Sequence, residues 1–270
     1  MNEDKSKDGL SLEAPSIGWT LKHGIRAIWD ALGLVCAASL TLFAALSLPL
    51  SLLAAAVRAQ GYKSLMTVCF SMALFLFIVP PLFGGICWLA HKVFARDEPS
   101  YVDLWKGYHR LFLSAVALGA IQLLVAAVLL ANIAFYLSRS SLPLLLLSIL
   151  FAYGLLFWWM NCIYHWPLLV ANEAGEVCRD DGSRPGLFSV FRNGFLATVS
   201  APGYTFVLTL FLAATMSLLT VSGLGLALLG GGLVAFFSTQ ATRDQLVRFG
   251  VLPAEPDLDA DVIDEVWKLK

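Results

Sequence analysis

Apolar tracts dominate this chain, and charged positions are confined to the short intervals between them. No Asp, Glu, Lys or Arg falls between Asp30 and Arg58, Lys63 and Lys92, Arg110 and Arg139, or Arg139 and Glu173. Between Arg192 and Arg243, fifty residues pass without a charge. A hydrocarbon core of about 30 Å is crossed by about 20 apolar helical residues. Each of the first four tracts therefore suffices for one crossing. The fifty-residue tract suffices for two, with VSGLG (221–225) supplying the Gly and Ser of a turn. Runs such as LLVAAVLLANIAF (123–135) do not alternate between apolar and polar residues, which excludes a β-barrel reading. The pattern predicts an all-α, polytopic transmembrane helix bundle with six spans near 31–57, 64–91, 111–138, 142–171, 197–220 and 224–241.

The polar intervals orient this bundle. With six spans, the N-terminus, the connections 92–110 and 172–196, and the C-terminus share one side and hold 15 of the 18 Lys and Arg residues. The other side holds Arg58, Lys63 and Arg139. Basic residues are retained in the cytoplasm, so both termini are predicted there. All 19 acidic residues fall on the same inner side, and the outer connections are only a few residues long. Residues 1–16 read as a polar, disordered cytoplasmic tail, 17–248 as the membrane domain, and 249–270 as an acidic cytoplasmic tail. In that last tail Leu258, Val262, Ile263, Val266 and Trp267 could line one face of a short helix.

Three amphipathic lead-ins precede span pairs on the inner side. In the first, Leu21, Ile25, Ile28, Trp29 and Leu32 follow helical spacing, with Lys22, His23 and Arg26 elsewhere on the wheel. In the second, Leu104, Tyr108, Leu111 and Phe112 repeat that spacing beside Lys106 and Arg110, and Ser100 with Asp103 forms a capping box. The third is a shorter stripe, Phe188, Phe191 and Phe195, around Arg192. Aromatic rings and snorkelling cations of this kind anchor helices at headgroup level, and they also suit a protein partner. Trp105, Lys106, Arg110, Arg192 and Trp267 are the candidate lipid or partner contacts. Small residues at steps of four, Gly33–Ala37–Thr41–Ala45 and Gly223–Ala227–Gly231–Ala235–Thr239, predict close helix packing within the bundle or with a second copy.

Polar residues inside the spans are the candidates for chemistry. The stretch FWWMNCIYHWP (157–167) places Asn161 and His165 on one helical face, and Pro80, Gly84 and Gly85 lie within the second span. With Asn132 these form a candidate polar seam or solute path, since interrupted helices line substrate sites in transporters. The span interiors carry no carboxylate, lysine or arginine, which disfavours proton-coupled transport. No H-E-x-x-H, C-x-x-C or phosphate-binding Gly-rich loop occurs, and Asn161, Cys162 and His165 lack a carboxylate partner. Neither a metal nor a cofactor is expected, and no catalytic residue is assigned. CRDDGSRPG (178–186) brings Asp180 and Asp181 near Arg184, but as a turn-rich loop without the further aspartates of a lipid-transferring enzyme. The five cysteines show no disulfide pattern. Overall composition agrees: 59% of residues are hydrophobic, 14% charged, and mean hydropathy is +0.76.

Two stretches, PPLFGGICWLAHKVFARDEPSYVDLWKGYHRLF (80–112) and YHWPLLVANEAGEV followed by LFSVFRNGFLATVSAPG within 164–203, resemble the YesL-like family of bacterial integral membrane proteins. The resemblance implies a bacterial plasma membrane and carries no catalytic residues. Members of that family tend to be encoded near carbohydrate uptake genes, which implies an accessory role in solute import. The expected function is a non-enzymatic accessory or scaffold for a membrane complex, with membrane lipids, a complex partner or a second copy as partners and no nucleic acid. A small transporter or channel for a neutral or lipophilic solute is the alternative, followed by a membrane enzyme acting on lipid.

Overall fold

The computed structural model describes residues 16–58, 62–139, 141–177 and 186–253. Every regular element among them is helical: α1 Ile17–Asp30, α2 Leu32–Arg58, α3 Tyr62–Phe94, α4 Tyr101–Leu137, α5 Leu142–Ala174, α6 Leu187–Ser200, α7 Pro202–Ser222, a π-helical turn Leu226–Gly230, and α8 Gly231–Arg248. Helices α2, α3, α4, α5 and α7 are each long and apolar enough to cross a membrane. The chain is an all-α polytopic bundle. The segments 1–15 and 254–270, the Asp180–Asp181 pair, Arg184, Cys178 and Trp267 lie outside the described residues.

Short connections make consecutive long helices neighbours, so α2 packs on α3, α3 on α4, and α4 on α5. The α3–α4 seam is close because its contact positions lack side chains. A Cβ on Gly85 would lie 2.5 Å from the Leu104 carbonyl oxygen, and one on Gly119 would lie 2.7 Å from Cγ of Pro80. Helix α3 runs unbroken through Pro80 and Pro81. Both prolines are buried, and the Pro80 ring fills the space that Gly119 leaves.

The second lead-in is not a separate helix. Asp103 Oδ2 accepts from the Ser100 backbone N at 3.1 Å, and Ser100 Oγ accepts from the Val102 backbone N at 3.4 Å. This cap starts a single 37-residue helix that continues to Leu137. At 1.5 Å per residue that is about 55 Å, well beyond the hydrocarbon core. The excess projects as the turns that carry Lys106 and Arg110. Its apolar stripe is covered: Leu104 and Leu111 are buried.

Around the fifth and sixth spans the breaks differ from the sequence pattern. Residues 197–200 belong to α6, and the chain turns at Ala201 (φ −141, ψ 66), which precedes Pro202 and is sterically barred from continuing the helix. The sixth segment is helical but compound. A π-helical turn leads into α8, whose second half is polar, so α8 is absent from the five long apolar helices. It is nonetheless largely buried, packed against α1, α2, α3 and α5. Its approach to α2 uses Gly232, where a Cβ would lie 2.6 Å from Cγ1 of Val35, and Ser39 Oγ accepts the Gly232 N–H at 2.8 Å. On α2 the packing face is therefore Val35–Ala38–Ser39–Leu42, while Gly33 is exposed with nothing near it.

Candidate functional site

Charge and buried polarity converge at the end of the bundle where α1, the α3–α4 connection, the close of α5 and the C-terminal half of α8 meet. Hydropathy falls along STQATRDQ (238–245), which reads in sequence as a helix leaving the membrane. In the fold Ser238, Thr239, Gln240, Thr242 and Gln245 are each at most 3% exposed. Buried polar groups need partners, and several are found. Gln240 Nε2 donates to Asp244 Oδ1 at 2.8 Å, and Thr20 Oγ1 donates to Asp244 Oδ2 at 2.5 Å. Tyr204 OH lies 2.9 Å from Thr20 Oγ1. A threonine hydroxyl holds one proton, so once it is given to the carboxylate, Tyr204 supplies the donor of that second contact.

This network docks α1. Its buried face is Thr20–Gly24–Ile28, with Gly24 set so that a Cβ would strike the Phe237 ring at 2.7 Å. The expected apolar stripe divides: Ile28 lies on this buried face and Leu21 packs on the core, whereas Ile25 and Trp29 point outward, 57% and 75% exposed. Helix α6 repeats the arrangement with Phe188 at 81% and Phe195 at 49%, while Phe191 turns inward onto Trp158 and His165.

Ion pairs tie the long helices together at the same end. Asp103 accepts from Lys106 at 3.0 Å and pairs with Lys92 at 3.3 Å. Arg110 Nε meets Glu173 Oε1 at 2.8 Å, its NH2 reaches the Glu173 carbonyl at 3.0 Å, and its guanidinium stacks 4.8 Å from the Trp88 ring. Helix α5 closes at Gly175 in the left-handed region (φ 85), where the Glu176 N–H returns to the Ala171 carbonyl. That turn sets Glu176 between His91 at 3.6 Å and Arg243 at 4.0 Å.

The residues singled out from sequence fall in several places. Asn161 and His165 do share a face of α5, 4% and 0% exposed. His165 Nδ1 is 3.1 Å from Gln122 Nε2 of α4. Gly194 of α6 closes over both: a Cβ there would lie 2.8 Å from Asn161 Oδ1 and 2.8 Å from His165 Cδ2. Pro80, Gly84 and Gly85 face α4 instead. Asn132 Nδ2 donates to the Val128 carbonyl of its own helix at 2.7 Å. These six therefore do not line one passage. Trp105 and Arg192 are exposed, and Lys106 and Arg110 are engaged with Asp103 and Glu173.

Sequence reasoning missed Thr20, Gln240 and Asp244. For Gln240 and Asp244 the signal was a polar run held in helical register directly after an apolar one, which is equally the signature of a helix emerging into water; Thr20 lies outside that run, in the first lead-in. Two hollows open beside this network. One, of about 440 Å³, lies between α1, the turn after α3, and Gln240. The other, of about 380 Å³ and largely apolar, lies between α5, α6 and the end of α8. No protein-family model, curated protein or solved structure matches the chain.

Proposed function

We propose that this chain is a non-enzymatic accessory or scaffold subunit of a membrane complex, such as a carbohydrate uptake system, in a bacterial plasma membrane with both termini in the cytoplasm. The observation that carries this reading is the set of large apolar side chains left uncovered on α1 and α6 at the basic end. Ile25 and Trp29 of α1 and Phe188 of α6 face away from the bundle, and Phe195, half exposed, packs edge-on against Phe157 of α5. The polar faces of the same end are tied inward, with Thr20 on Asp244 and Arg110 on Glu173. A helix anchored by buried hydrogen bonds and presenting an apolar edge is a preformed docking element, because little ordering entropy opposes contact. The sign of the basic residues supports the cytoplasmic orientation, and the YesL-like resemblance of residues 80–112 and 164–203 supports the import context.

Native-membrane cross-linking followed by gentle solubilisation tests the reading. Wild-type protein is expected to bring down a defined membrane partner. Trp29→Ala with Phe188→Ala should reduce recovery severalfold at unchanged expression, since aromatic anchors dominate interface energy. Recovery of no partner, or equal recovery with the double variant, would end the scaffold reading.

A further inference from the structure

The apolar hollow between α5, α6 and the end of α8 has no cover among the described residues. Its volume is about 380 Å³, and Leu168 and Leu246 line it as buried residues. Leu196 and Val199 of α6 and Phe249 beyond α8 stand at its rim, 51%, 51% and 45% exposed. Large apolar side chains from two elements around one concavity mark a binding surface. Acyl chains are poorly suited to cover it. Arg192 is exposed and shares a face of α6 with Leu196 and Val199 at i, i+4, i+7. Arg248 directly precedes Phe249, and its guanidinium donates to the Ser200 carbonyl at 3.2 Å. Charges so near the rim would be costly in hydrocarbon, so the hollow opens at headgroup level or beyond it.

The path of the chain brings a candidate cover to this place. After α8 the backbone reverses at Gly250, φ 70, and the N–H groups of Val251 and Leu252 return to the Leu246 carbonyl at 2.9 and 3.3 Å. The reversal sets Val251 at the edge of the hollow and packs Leu252 on the core. The described chain ends two residues after Val251, and residues 254–270 follow. The seven steps from Val251 to Leu258 reach at most about 24 Å, ample for a segment that begins beside the hollow. Leu258, Val262, Ile263, Val266 and Trp267 fall on one helical face of about 15 Å. Pro256 and Asp257 come just before that face and Lys268 just after it, the order that suits a helix and its dipole. The segment carries six acids against two lysines, which complements Arg192.

We propose that residues 254–270 dock as a helix on the hollow of their own chain, with the apolar face on Leu196, Val199 and Phe249 and the acidic flank beside Arg192. The hollow is thus the seat of the C-terminal segment. The inference stands apart from the scaffold reading, which rests on Trp29 and Phe188.

Photo-cross-linking of the full-length protein in native membranes tests it. Trp267 is replaced by the photoreactive aromatic benzoylphenylalanine, and the adduct is mapped by mass spectrometry. The expected product runs at monomer mass and joins position 267 to residues 193–200 or Phe249. Leu196→Asp, at a half-exposed position, should lower its yield severalfold. Hydrogen exchange over 258–267 should be severalfold faster in full-length Val262→Asp with Ile263→Asp than in wild type. Both changes fall in the segment beyond α8, so the bundle itself serves as an internal control, with unchanged exchange over α4 and α5. Adducts confined to lipid, to a second copy or to another protein would each overturn the proposal. So would a yield indifferent to Leu196→Asp, or equal exchange over 258–267 in the two proteins.

Discussion

At Gly85 a hydrogen atom in place of a methyl group decides how closely α3 and α4 run. The would-be Cβ lies 2.5 Å from a backbone oxygen, which cannot rotate away, whereas at Gly84 the nearest atoms are side-chain carbons at 3.6 to 3.9 Å. Gly85→Ala should lower stability by about 1–3 kcal/mol, the usual range for overpacking. Gly84→Ala should change it little. Thermal unfolding in mild detergent, followed by tryptophan fluorescence, distinguishes them; coincident midpoints would contradict the seam as described. Sequence singles out both glycines, but not which of them touches a backbone, because that depends on the phase of a helix beginning sixteen residues later. The same limit governs the polar seam. The i, i+4 spacing of Asn161 and His165 is legible locally, whereas Gln122 as a partner 43 residues away is not. Asn132 shows the converse, a polar residue whose needs are met by its own helix.

Elements are more legible than contacts because hydropathy averages over many residues. The ranges expected for the first, second and fourth spans agree with α2, α3 and α5 to within three residues at each end. Departures arise where a local cue competes with a long-range one. The capping box at Ser100 is a correct start signal, but nothing between it and Leu137 stops the helix, so lead-in and span are one. In α8, falling hydropathy reports composition correctly and burial wrongly, because four surrounding helices enclose the polar turns. Just beyond the π-helical turn at Leu226–Gly230 a long-range contact intervenes: Ser39 Oγ of α2 accepts the Gly232 N–H. Ser39→Ala leaves that buried donor unpaired, a loss of about 1–3 kcal/mol. Hydrogen exchange by mass spectrometry should show faster exchange over residues 226–232 and no change over α4 and α5. Uniform acceleration, or none, would mean that the hydroxyl does not fix this turn.

For the whole molecule, the distribution of charge and the compound sixth helix make one joint demand. Arg139 and the α3–α4 connection must lie in opposite compartments, and the close of α8 must share the compartment of that connection. Among the described residues five helices are long and apolar enough to cross. Whether α8 completes a sixth crossing decides on which side Val251 emerges. The ion pairs favour completion, since Arg243 of α8 meets Glu176, which also meets His91 near the end of α3. A thiol-free background is first made by replacing Cys36, Cys69, Cys87, Cys162 and Cys178, and single cysteines are then placed at Arg139, Pro99 and Val251. A membrane-impermeant maleimide applied to intact cells should label Arg139→Cys and reach Pro99→Cys and Val251→Cys only after permeabilisation. Labelling of Val251→Cys in intact cells would leave α8 outside the bundle. It would separate Asp244 from Thr20, and it would place the exposed Trp29 and Phe188 on an end of the protein that the charges do not support.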